Sequence, residues 1–202
     1  MNNFLKNIIA ISVSVLVILS IYYGAYLPFR KSQLYVNSMM NLRSGSVKSV
    51  ADLQNVFNPA LNYYSPVGQD EEMASYIEVL SNVALQQNNK PVVDAVVKMA
   101  NDAATPELNN PEKGFNYGQT VYALGLIYSM EGLKFHDQAY LQRSIDLFNE
   151  GLKFDPKRAA YLYGLFDTYS QEGDKEMAKR VGQTILSYWP TDQQVKDYLT
   201  NN

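Results

Sequence analysis

The chain contains no cysteine, which excludes disulfides, thiol nucleophiles and sulfur-ligated metals and leaves either side of a membrane open. Its one histidine, His136, excludes metal sites built on two imidazoles. No glycine-rich phosphate loop, HExxH pair or aspartate-rich calcium loop occurs. Ser-His-Asp chemistry would have to use His136, which stands in a polar turn beside Asp137, where a solvated histidine is the plainer reading. Asp70, Glu71 and Glu72 read as a helix-start cluster rather than as a paired acid and base. A formal charge of −3 over 202 residues lacks the basic surface of a general nucleic-acid binder. The expectation is a protein that is not an enzyme, with no catalytic residues, cofactor, metal or nucleic acid.

What the sequence does have is a long apolar run. Ile8 to Leu27 carries no charge, and eleven of its twenty residues are Ile, Leu or Val. Twenty helical residues span about 30 Å, the thickness of a hydrocarbon core. Tyr22, Tyr23 and Tyr26 suit the headgroup level, Pro28 is expected to stop the helix, and Arg30 and Lys31 mark the water side. The rival reading is a cleaved signal peptide with Lys6 as its basic region, but no small-x-small pair follows the apolar run. From Pro28 to Ala51 there are four basic residues (Arg30, Lys31, Arg43, Lys48) and no acid, which leans towards a cytoplasmic C-terminal part. This stretch reads as a stop-transfer flank, or alternatively as a segment lying on anionic headgroups. Membrane lipid around the N-terminal helix is therefore one expected partner.

Beyond Ser46 the pattern is helical throughout, so the fold class is all-α: an apolar N-terminal helix followed by helical hairpins. Val47–Phe57 is one candidate helix, closed by Asn58-Pro59. A second runs to Gln87 with Met73, Ile77, Leu80, Val83 and Ala84 at three- and four-residue steps. Pro91 opens a third, which carries Val92, Val93, Val96, Val97 and Ala100 and is expected to stop before Pro106. Thr105–Gly114 reads as the longest loop.

The informative comparison is internal. Phe154-Asp155-Pro156 and Tyr188-Trp189-Pro190 each close a helix, with their prolines 34 residues apart. Leu162, Leu165, Tyr169, Ala178 and Pro190, with the turn Gly173-Asp174, resemble the tetratricopeptide repeat. Leu124, Gly125, Tyr128, Ser144, Phe148, Gly151 and Pro156 resemble a preceding unit whose turn is enlarged by about seven residues within Glu131–Leu141. Small residues would let helix backbones approach while bulky ones fill the space beside them. Two departures stand out: Phe166 where the family prefers a small residue, and Gly182 where it prefers an aromatic. They are expected to compensate for each other. Residues 1–29 are read as a membrane anchor, 30–66 as a juxtamembrane linker, and 67–202 as the repeat domain, with clear repeats at 118–158 and 159–192. Residues 191–199 are expected to cap the array with Val195, Tyr198 and Leu199 facing inward.

In that family the first helix of each repeat lines a groove. The resemblance implies that Gln119, Tyr122, Leu126 and Ser129 from one repeat, and Ala160, Tyr163, Asp167 and Ser170 from the next, face a protein or peptide partner. The plainer reading of Tyr122 and Tyr163 is that they pack against neighbouring helices. More loosely, the whole chain resembles the C-terminal tail of bacterial O-antigen ligase or polymerase-like membrane proteins, without their catalytic loop. The functional expectation is a membrane-anchored interaction scaffold or, alternatively, a non-catalytic appendage of an envelope glycan system.

Overall fold

A computed structural model describes residues 3–110 and 114–201. Two compact units divide between Met73 and Ala74. Every regular element among the described residues is helical.

The first unit begins with α1 (Asn3–Ile21), none of whose side chains is buried. A five-residue π turn (Tyr22–Tyr26) joins it to α2 (Leu27–Arg43). Together they form a 41-residue helix with a window of mean hydropathy 2.3, long and apolar enough to cross a membrane. The Ser14 hydroxyl donates back to the Ala10 carbonyl at 2.9 Å, which removes an unpaired polar group from an apolar face. Pro28 does not stop this helix; it sits in the first turn of α2. A proline cannot donate to the preceding turn, and its ring presses on the carbonyl there. The wider π turn relieves that crowding, with the Leu27 N–H reaching Tyr22 O instead.

The helix α3 (Val50–Leu61) packs along α2. Ser49 caps it by accepting from Asp52 N at 3.1 Å, while Asp52 accepts from Lys48 N at 3.2 Å. Leu27, Lys31 and Ser38 form the buried stripe of α2, and Leu53, Phe57 and Ala60 that of α3. Tyr35 meets Phe57 edge to face at 5.8 Å. Lys31 is not the solvated flank residue expected from the sequence. It is 2% exposed, and its ammonium donates to the carbonyls of Ala60 (3.0 Å) and Tyr63 (2.9 Å), 3.5 Å from Glu72 Oε2. Pro59, expected to close this helix, lies inside it.

The helix α4 (Gln69–Leu85) spans the division between the units. The second unit continues with α5 (Lys90–Leu108), α6 (Phe115–Phe135), α7 (Gln138–Phe154), α8 (Ala159–Glu172), α9 (Lys175–Tyr188) and α10 (Gln193–Asn201). From α5 onward each helix packs on the next, and α6 also packs on α8. The expected stop before Pro106 does not occur, because α5 runs through it. The carbonyls that Pro59 and Pro106 leave without a helical donor belong to Asn55 and Asp102, both exposed residues. The expected loop therefore shrinks from its N-terminal end, and its residues 111–113 lie outside the described residues.

The seven extra residues do not enlarge a turn either. The α6–α7 connection is His136-Asp137 and the α8–α9 connection Gly173-Asp174, each pairing a left-handed residue with a capping aspartate. Instead, α6 runs seven residues past Tyr128 where α8 runs three past Tyr169. Likewise α7 starts six residues before Ser144, and α9 three before Ala178. The added residues extend both helices by about one turn.

Small residues sit where helices meet. A methyl group at Gly125 would lie 2.4 Å from the ring of Phe148, one at Gly164 2.6 Å from the same ring, and one at Gly151 2.7 Å from Tyr161. Ser144 Oγ donates to Gly125 O at 2.7 Å, and Ala178 is fully buried. At the C-terminal end Phe166, Leu162, Ile185 and Val195 form a cluster joined by the half-buried Tyr198 and Leu199 of α10.

Candidate functional site

A groove of about 640 Å³ in the second unit is lined by α4, α6 and the start of α8. The α4 wall carries Ala74, Ser75, Glu78, Ser81, Asn82 and Leu85, and the α6 wall Gln119, Tyr122, Ala123, Leu126, Ile127 and Met130. Each set recurs at helical spacing, so each is one face of its helix. In α4 that face lies beside the one burying Tyr76, Ile77, Leu80 and Ala84. Arg158 and Ala160 close one end.

The two walls differ chemically. The α4 wall is mostly hydroxyl, amide and carboxylate, whereas the α6 wall is mostly apolar and includes Met130, which is 44% exposed. The two charges also differ. Arg158 is half-buried, with its guanidinium 5.2 Å from the centre of the Tyr161 ring and packed against Gly118. Glu78 is exposed.

Of the eight residues expected to face a partner, Gln119, Tyr122, Leu126 and Ala160 come together in this groove. Tyr122 also lies 6.3 Å from the Phe148 ring, so it packs and lines at once. The other four are placed differently. Ser129 is buried and pairs with the Thr168 hydroxyl at 2.7 Å, because the close approach of α6 and α8 turns that position inward. Tyr163 packs on Trp189, with centroids 6.1 Å apart, and donates to Asp192. Burial, followed by that hydrogen bond, pushes its hydroxyl up to about 12. Asp167 is exposed, and the Ser170 hydroxyl is buried without a hydrogen-bond partner.

Sequence reasoning missed the whole α4 wall together with Met130 and Arg158. The signal was available as polar residues at 75, 78, 81 and 82 recurring beside the apolar stripe of the same helix. Among the described residues no group of three or more His, Asp or Glu side chains stands together as a metal site would require. Comparison of the chain with family models, with curated proteins and with solved structures gives no match.

Proposed function

We propose that the chain is a membrane-tethered module of tetratricopeptide type that holds a segment of a partner protein in the groove between α4 and α6. The observation that carries this reading is the groove itself: two helix faces at matched spacing line one concavity with an apolar wall and a polar wall. Concave, mostly preformed sites with a few polar groups are where binding proteins take their ligands. The shared device of α6–α7 and α8–α9, small residues under large rings and a left-handed residue before a capping aspartate, supports the repeat assignment. The unburied apolar α1 supports the tether. With Lys31 occupied inside the fold, the exposed cations Arg30, Arg43 and Lys48 still outnumber Lys6, which supports a cytoplasmic groove.

A photoreactive residue in place of Tyr122, in membranes from cells, tests this. The expected result is a discrete adduct that disappears when Leu126→Glu is added. An adduct indifferent to that change would sink the groove.

A further inference from the structure

Resting on the groove assignment above, we infer that the occupant is a short extended segment that sets apolar side chains against α6 and a lysine or arginine against Glu78.

The walls set the length of an extended occupant. Each wall runs through eleven residue steps, about 16 Å of helix at 1.5 Å per residue. An extended chain covers that distance in about five residues at 3.3 Å each.

Wall chemistry argues for extension. A helix satisfies its own backbone and asks nothing of the groove, whereas an extended segment brings unpaired N–H and C=O groups. Ser75 and Asn82 on α4 supply donors and acceptors along one edge, Ser81, whose hydroxyl donates to the Ile77 carbonyl at 2.9 Å, supplies an acceptor, and Gln119 supplies both from the other wall. The α6 wall takes the side chains of that segment at Leu126, Ile127 and Met130.

Charge sets the sign. Arg158 is engaged with Tyr161 and Gly118, so the exposed charge offered to an occupant is the carboxylate of Glu78. A basic side chain complements it, and an acidic one meets like charge beside an apolar wall.

The test uses the full chain in nanodiscs of zwitterionic lipid, panned against a displayed heptapeptide library with a fixed central proline, which strongly disfavours a helix in a peptide this short. Enrichment of Lys and Arg at least fivefold over Asp and Glu at one position is expected. Replacing Glu78 by lysine (Glu78→Lys) should reverse that preference, and Glu78→Gln should abolish it without loss of folding. Binders lost in Leu126→Glu but showing no basic preference would leave the groove standing and overturn this inference. An absence of proline-containing binders, while a helix-forming library yields groove-dependent ones, would overturn it as well. Binders that ignore Leu126→Glu, or none from either library, would remove both readings.

Discussion

The ring of Phe166 occupies the space that a side chain at Gly182 would need: a methyl group there would stand 3.2 Å from Phe166 Cε2, and the ring is 3% exposed. Val195 and Leu199 close the same space from α10, at 3.2 and 3.3 Å. The large residue and the small one fit each other across the α8–α9 contact. Phe166→Ala should cost about 3–4 kcal/mol, and Gly182→Phe about 1–3 kcal/mol by overpacking. Combined, they should cost at least 1 kcal/mol less than their sum. A denaturant double-mutant cycle measures this, and strict additivity would refute the fit of Phe166 over Gly182.

Lys31 ties the C-terminal end of α3 and Glu72 to α2 from a buried position. Removing one partner of a buried pair leaves the other uncompensated. Lys31→Met should therefore destabilise the first unit by about 3–5 kcal/mol. Adding Glu72→Met should recover part of that loss, because the stranded carboxylate goes too. Thermal unfolding of the full chain in detergent reads both, and a double variant no better than Lys31→Met would contradict the pairing.

Both carboxylate oxygens of Glu131 are buried without a hydrogen bond, and Lys134 Nζ stands 3.7 Å away. Lys134 is itself committed to the carbonyls of Leu85 and Gln87. Burial raises the Glu131 pKa above its ordinary 4.5, and Lys134 offsets part of the rise. The folded state then holds this proton more tightly than the unfolded chain does, so stability falls as pH rises from about 4.5 through the folded value. Glu72 is shifted in the same direction, mainly by burial. Glu131→Gln should flatten the slope by at most about 1.4 kcal/mol per pH unit. It should gain on wild type towards neutral pH and converge with it near pH 4. Parallel pH profiles would show that Glu131 does not titrate in this window.

His136 and Gly173 end α6 and α8 with φ of 53° and 90°. Only glycine adopts this region freely. His136→Gly should stabilise by about 0.5–1 kcal/mol, and Gly173→Ala should destabilise by about 1–2 kcal/mol, since nothing lies within 4 Å of that methyl group to compensate. Chemical denaturation distinguishes the two signs.

The contact pairs were legible in the sequence where a small residue and a ring recur at fixed offsets, as with Gly125 and Phe148, because close helix approach dictates both. Proline misled at residues 28, 59 and 106. The residues whose carbonyls are left behind, Asn55 and Asp102, are exposed, and the π turn absorbs the crowding at Pro28. A lone sequence does not reveal which carbonyls water can reach. Lys31 misled because a cation after an apolar run looks like a flank until α3 folds over it. Half of the expected partner-facing residues reached the groove. Ser129 did not, because the α6–α8 approach is close enough to bury it.

The π turn at Tyr22–Tyr26 also acts as a rotary offset. One residue added to a regular helix turns everything beyond it by about 100° around the axis. The direction in which α2 presents α3, relative to α1, is set by that single surplus residue. Deleting one residue there would keep the helix straight and swing α3 through about a quarter of a turn.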